Sequence, residues 1–175
     1  MKTRFIGIVV AVFVLGVTAG AYAAKKGLDP ATYQGKSKKE AAAALLELSK
    51  KQAEKGSWEN IAVGRIYYAG GMKSEGQAIF DSITNSKKVE ASDWIRVGRA
   101  YYDAGDWAKA KVAFDKALSM KKKDAPWLAE VGAYYNLKGD RAKAEEYFER
   151  SLKIEQDVWN SADMAGSYIG VTPLR

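Results

Sequence analysis

Cysteine and histidine are both absent from the 175 residues of this chain, and proline occurs only three times. Without histidine and cysteine the sequence lacks the usual general base at neutral pH, the usual thiol nucleophile and most transition-metal ligand sets. The glycine pair Gly70-Gly71 is not followed directly by the lysine and the hydroxyl residue of a phosphate-binding loop. We therefore expect no enzyme, no cofactor and no metal site. The absence of cysteine also excludes a lipid-modified cysteine and suits an oxidising compartment.

The N-terminal segment 1–23 has the features of a signal peptide. Two basic residues precede an uncharged apolar run that begins at Phe5, and Ala21-Tyr22-Ala23 fits the small-x-small pattern of a cleavage site. The alternative is an uncleaved anchor, because the stretch from Phe5 to Ala24 carries no charge and is just long enough to span a bilayer. We expect export to a bacterial periplasm or, in the alternative, attachment to the inner membrane with the rest of the chain facing the periplasm.

The chain is moderately basic, with a net charge of +7 that falls to +5 if Lys2 and Arg4 are removed with the leader. A basic surface attracts acidic partners, and it also serves simply to keep a protein soluble. No basic stripe with interleaved aromatic residues is present, so we expect no nucleic acid. The expected partner is a protein or a peptide, with an acidic one as the specific hypothesis, and homo-oligomers as a further alternative. A membrane contact is expected only through an uncleaved N-terminal segment.

Glycine recurs at one fixed interval, at Gly64, Gly98, Gly132 and Gly166. In the first three units a tyrosine follows each glycine at the third position and a phenylalanine at the sixteenth, at Tyr67, Tyr101, Tyr135 and at Phe80, Phe114, Phe148. A fixed period in the thirties is typical of stacked copies of one small unit, none of which buries its apolar face alone. We expect the fourth unit, which begins at Trp159, to contain only a first helix.

Each complete unit has the pattern of two helices joined by a tight turn. In the second unit Gly105 ends the first helix and Asp106 caps the next. A glycine inside a helix costs about 1 kcal/mol relative to alanine. Its repeated use therefore predicts that two helix backbones approach closely there and that a neighbouring ring fills the space. Small residues on the second helices, at Gly76, Ala110 and Ala144, predict the same close packing.

Together, Val97-Gly98-x-x-Tyr101, Gly105-Asp106-Trp107-x-x-Ala110 and Phe114-x-x-Ala117-Leu118 resemble the tetratricopeptide repeat. The resemblance extends from Ser57 to Arg175. It implies an all-α fold, a right-handed superhelical stack of antiparallel helix pairs with about three repeats and a capping helix at each end. The chain departs from the family where a proline often closes the unit, since Lys88, Lys122 and Gln156 stand there.

The sequence therefore divides into seven segments. The capping helix before the repeats begins with the capping box of Ser37 and Glu40. The segments are a signal peptide at 1–23, an extended arm at 24–36, an N-terminal capping helix at 37–56, repeats at 57–90, 91–124 and 125–158, and a C-terminal capping helix and tail at 159–175, with the helix at 162–169 and the tail at 171–175.

By resemblance to the family, the first helices line a concave groove that binds the partner. The groove residues are Trp58, Ile61, Arg65 and Tyr68 from the first unit, Ile95, Arg96, Arg99, Tyr102 and Asp103 from the second, Glu130, Ala133, Asn136 and Leu137 from the third, and Asn160, Asp163 and Ser167 from the last helix. Arginine forks bind carboxylates in bidentate contacts and tyrosine gives a stiff platform, so we expect an acidic or carboxylate-ended peptide. In the alternative, the arginines pair internally with Asp103 or Glu130. Tyr67, Tyr101 and Tyr135 are expected in the core.

Three functions remain open at this stage. The first is an exported, non-catalytic scaffold or adaptor that binds a peptide segment or a partner protein in its concave groove during envelope assembly or secretion. The second is a self-associating structural protein, in which the incomplete last unit stacks on the first helix of a neighbour. The third is an accessory subunit of a cell-envelope enzyme. The family's carboxylate-clamping adaptors use lysine and asparagine where this chain has Ile61, Arg65, Ile95 and Arg99, so that specificity is not implied.

Overall fold

A computed structural model describes residues 29–173, and all regular structure in this range is helical. The predicted signal peptide at 1–23, residues 24–28 of the predicted arm and the last two residues lie outside the described residues. A short 3-10 turn at Pro30–Thr32 precedes eight α-helices in the described range. They are α1 Lys38–Ala53, α2 Ser57–Ala69, α3 Lys73–Thr84, α4 Ala91–Asp103, α5 Trp107–Met120, α6 Ala125–Leu137, α7 Arg141–Ile154 and α8 Val158–Tyr168.

The helices pack as successive hairpins, α2 with α3, α4 with α5 and α6 with α7. First helices also pack on the next first helix along the chain, α2 on α4 and α6 on α8. The all-α stack of helix pairs that the sequence predicts is thereby confirmed. The right-handed superhelix and the number of repeats stay predictions. No helix in the described part of the chain is long and apolar enough to cross a membrane.

The turn inside the second unit follows from two residues. Gly105 adopts φ +77°, a left-handed conformation that a side chain disfavours. The carboxylate of Asp106 then accepts a hydrogen bond from the backbone N–H of Lys109 at 3.3 Å, which caps α5. The third unit repeats this arrangement with Gly139 and Asp140. The predicted break and cap are confirmed, and they make each helix pair a tight hairpin.

The repeated glycines lie where phenylalanine rings press on the first helices. A Cβ atom added at Gly98 would lie 2.5 Å from the ring of Phe114, and one at Gly132 would lie 2.7 Å from the ring of Phe148. Gly64 has the same relation to Phe80. Gly166 departs from the pattern, because a Cβ there would meet only Val171, at 3.4 Å, which is an ordinary contact. The close approach expected at Gly166 is therefore wrong: no second helix follows α8 within residues 29–173.

The repeated tyrosines of the first helices are buried in the core, and each donates its hydroxyl to the preceding second helix. Tyr67 donates to Glu47 at 3.1 Å, Tyr101 to Gln77 at 3.0 Å and Tyr135 to Asp115 at 2.7 Å. A buried hydroxyl must be paired, because leaving it without a partner costs about 1–3 kcal/mol. These bonds fix the position of each unit on the one before it.

Helix α1 takes the register of a second helix. Leu46 lies one repeat interval before Phe80 and is buried against Val63 and Tyr67 of α2. The capping box of Ser37 and Glu40 starts this helix, as the sequence predicts. At the other end, α8 begins at Val158 rather than near residue 162. The carboxylate of Asp157 explains the earlier start, because it accepts from the N–H of Trp159 at 2.8 Å.

Candidate partner-binding groove

A small basic groove opens where α2 lies beside α4. Its volume is about 280 Å³. It is lined by Trp58, Ile61, Ala62, Arg65, Arg96, Arg99 and Asp103. We call this set of residues the basic groove. Six of these seven residues are in the predicted set, and only Ala62 was missed, since a small apolar side chain gives no sequence signal for binding.

Arg65 reaches from the first unit to the second. Its Nε donates to Oδ2 of Asp103 at 2.7 Å, and half of the Arg65 side chain is exposed. An exposed pair of this kind contributes about 0–1 kcal/mol to stability. Internal pairing, one of the two alternatives for the groove arginines, is therefore what the structure shows for Arg65, through a weak pair that a stronger ligand can displace.

Arg99 is held far more firmly. Its Nε and Nη2 donate to the two carboxylate oxygens of Glu130, at 2.5 and 2.7 Å. The Glu130 side chain is fully buried, and that of Arg99 is 17% exposed. Burial disfavours the charge of Arg99, but the hydrogen bonds and the negative charge of Glu130 outweigh it and raise the pKa of Arg99. Arg99 thus serves the contact between α4 and α6, again by internal pairing.

The contacts of Arg96 differ from those of Arg65 and Arg99. Its guanidinium carbon lies 3.6 Å from the centre of the Trp58 ring, a close cation–π contact across the two units. Within the described residues Arg96 forms no ion pair, and its Nε is buried without a hydrogen-bond partner. Burial and the neighbouring charge of Arg99 lower the pKa of Arg96. Arg96 is therefore the arginine of the groove whose charge no contacting carboxylate compensates.

Three of the predicted contact residues are buried. Ile61, Tyr68 and Ile95 are 3%, 2% and 1% exposed. The Tyr68 ring packs edge-on against Tyr101 at 5.1 Å, and its hydroxyl donates to Asp106 at 2.8 Å. These side chains fill the space between neighbouring units, because the next first helix covers that side of α2 and α4. Their burial shows a packing role between units, and partner contact by these side chains stays a prediction.

The remaining predicted residues lie farther along the stack, away from the basic groove. Tyr102 packs on Tyr134 with ring centres 4.5 Å apart. Asn136 donates to Ser167 at 2.9 Å and joins α6 to α8. Ala133 and Asn160 are fully buried in the same part of the molecule, while Leu137 and Asp163 are half-buried. The predicted groove is thus divided, with the basic groove on the first two units and a closed interface on the last.

The described residues include no cluster of acidic side chains suited to a metal ion. The family model described as tetratricopeptide repeat matches residues 91–124. Those residues contain α4 and α5, the unit that supplies Arg96, Arg99 and Asp103 to the basic groove. Residues 91–124 accordingly match a tetratricopeptide repeat, and this match supports the resemblance of the other units to that family. Repeats of this family generally mediate protein–protein interactions, and the family is typically a non-catalytic scaffold. No curated protein matches the chain.

Proposed function

We propose that this chain is a non-catalytic scaffold that binds an acidic segment of a partner protein in the basic groove. The observation that carries the proposal is the position of Arg96, stacked on Trp58 and without a contacting carboxylate in the described structure. A stacked guanidinium has lost much of its side-chain freedom before binding. It therefore loses less entropy when a carboxylate arrives.

The size and charge of the groove indicate what enters it. A volume of about 280 Å³ accommodates one acidic side chain or a terminal carboxylate rather than a whole peptide. Arg65 lies beside the same space, and its exposed pair with Asp103 can open to contribute a second guanidinium. The rest of the partner segment would run along the exposed surface of the first helices, where Trp58 is 52% exposed.

We also propose that the chain acts after export, in the periplasm, in envelope assembly or secretion. Support comes from the sequence alone: the basic start, the apolar run and the small residues before Ala24. The test is sequencing of the N-terminus of the protein isolated from cells after fractionation. A start at Ala24 in the periplasmic fraction is expected, whereas an intact leader in the membrane fraction would support the anchored form.

The binding proposal is tested with a defined probe, a labelled peptide of alternating glutamate and alanine, and its glutamine counterpart. We expect the glutamate peptide to bind the full chain at least about tenfold more tightly, since a tenfold ratio needs only about 1.4 kcal/mol. Fluorescence anisotropy gives both dissociation constants. Higher salt should weaken only the glutamate peptide, because charges near a surface are screened.

Matched charge reversals locate the site. Arg96→Glu should abolish binding of the glutamate peptide. Lys116→Glu changes the charge by the same amount on an exposed position of α5 and should leave binding nearly unchanged. Circular dichroism checks that both variants keep their helicity. Equal loss in the two variants, or equal binding of the glutamate and glutamine peptides, would contradict recognition by the basic groove.

A further inference from the structure

The two ends of the stack are complementary halves of one unit. Helix α8 has the register of a first helix, and no second helix follows it within residues 29–173. Helix α1 has the register of a second helix, and in the same range no first helix precedes it. Each end therefore presents a surface that, in the complete units, a partner helix covers.

The exposure of equivalent residues shows this directly for α8. Ala165 lies one repeat interval after Val131 and two intervals after Val97. Both valines are buried, at 0% and 1% exposure, whereas Ala165 is exposed. The same face carries Gly166, whose nearest neighbouring atoms belong to Val171 rather than to a phenylalanine ring, and Trp159, which is 73% exposed. The C-terminal end is thus an apolar helix face on which the tail residue Val171, rather than a ring of a second helix, lies against Gly166.

Helix α1 likewise exposes a position that a first helix covers in the complete units. Ala42 is exposed, although its equivalents Gly76, Ala110 and Ala144 are all buried against a first helix. Beside it, a mainly apolar groove of about 390 Å³ lies between α1 and α2. The groove is lined by Leu46, Ser49, Gln52, Ala53, Glu59, Ala62, Val63 and Ile66. A first helix packed on α1 would lie along this groove, as α2 packs on both α3 and α4.

We propose that the occupant is α8 of a second copy, which completes a unit with α1 of the first. Gly166 of one copy would then lie opposite Leu46 of the other, in the register that joins Gly98 to Phe114. Both faces are apolar, and α8, with 11 residues, is only two residues shorter than the complete first helices, which have 13. In the described structure Val171 of the tail lies against Gly166, and its N–H donates to the Gly166 carbonyl oxygen at 2.8 Å, so the tail moves aside when Leu46 of the other copy takes that position.

The symmetry of this contact determines the assembly. The surface at one end differs from the surface at the other, so the contact is heterologous and repeats until a ring closes or a filament grows. This interaction surface is separate from the basic groove, and its test does not depend on the proposed peptide ligand.

The experiment measures the mass of the full chain by light scattering over a dilution series. We expect the average mass to rise above that of the monomer with concentration. Ala165→Glu blocks the C-terminal face and Ala42→Glu blocks the N-terminal one, so each variant alone should stay monomeric. An equimolar mixture of the two variants should form dimers and nothing larger, because only one intact pair of faces remains.

Two controls make the outcome decisive. Ala43→Glu places the same charge at the next position of α1, in the register of the exposed Lys111 and Glu145, and should assemble like the unchanged chain. Val112→Glu does the same on α5, where the side chain is 66% exposed. A constant monomer mass would overturn the proposal and favour filling of the groove by the chain's own residues 5–24. Self-association of either blocked variant alone would also overturn it, as would equal loss of assembly in the controls.

Discussion

Arg99 of α4 and Glu130 of α6 form a bidentate ion pair, and the Glu130 side chain is fully buried. The pair joins the second and third units across 31 residues of sequence. It contrasts with the exposed pair of Arg65 and Asp103, which joins the first and second units. The two pairs have the same chemistry but different environments, so their contributions to stability should differ.

The first prediction compares these pairs. Glu130→Ala leaves Arg99 largely buried and unpaired, and should lower the free energy of unfolding by about 3–5 kcal/mol. Asp103→Ala should cost at most about 1 kcal/mol, because water solvates the released Arg65. Urea denaturation followed by circular dichroism measures both values. Similar losses in the two variants would contradict the assignment of Arg99 and Glu130 as the stronger pair.

The second prediction concerns two glycines in the same register. Gly98→Ala should destabilise the chain by about 1–3 kcal/mol, because the new methyl group meets the buried Phe114 ring. Gly166→Ala should instead be neutral or stabilise by up to about 1 kcal/mol, since alanine favours the helix and the nearest atom is 3.4 Å away. Thermal unfolding at a single low protein concentration, where assembly is least, gives both shifts. Destabilisation of equal size at Gly166 would show that its packing resembles that of Gly98.

The third prediction concerns the charge balance of the basic groove. Asp103→Asn releases Arg65 from its ion pair and adds a free guanidinium beside Arg96. Binding of the glutamate peptide should therefore tighten by about three- to tenfold, as expected for about 1 kcal/mol of added charge-assisted contact. Anisotropy titration measures the change, with the glutamine peptide as control. Unchanged or weaker binding would place the ligand away from Arg65.

The fourth prediction is a loss of stability at alkaline pH. Burial and then the negative charge of Asp115 raise the pKa of Tyr147 to about 12. Tyrosine in the unfolded chain ionises near pH 10. Because the folded state holds the proton more tightly, the stabilisation is complete below pH 10 and is lost as the pH rises from 10 to about 12.

Melting temperatures measured from pH 10 to about pH 12 test the predicted loss of stability. The unchanged chain should lose melting temperature more steeply than Tyr147→Phe, which has no proton to lose at that position. Tyr33→Phe, at an exposed position of the N-terminal arm, is the matched control and should retain the steep loss. Identical slopes for the unchanged chain and Tyr147→Phe would exclude this tyrosine as a source of the alkaline transition.

The sequence by itself determined the helical units, their breaks and their packing positions. A strict repeat interval places Gly98 against Phe114 and Gly132 against Phe148, because close packing requires a missing side chain wherever a ring presses on a helix. Local chemistry also determined the turn at Gly105 and the cap at Asp106, since both depend on a few adjacent residues.

Only the tertiary structure decided which of the predicted groove residues remain accessible. The pairs of Arg65 with Asp103 and Arg99 with Glu130 join residues 38 and 31 apart, intervals that differ from the repeat period. The stacking of Arg96 on Trp58 likewise joins different positions of two units. Such contacts depend on how neighbouring first helices cross and on where long side chains turn. The sequence therefore shows three arginines as equivalent, whereas packing neutralises two and, among residues 29–173, leaves Arg96 without a contacting carboxylate.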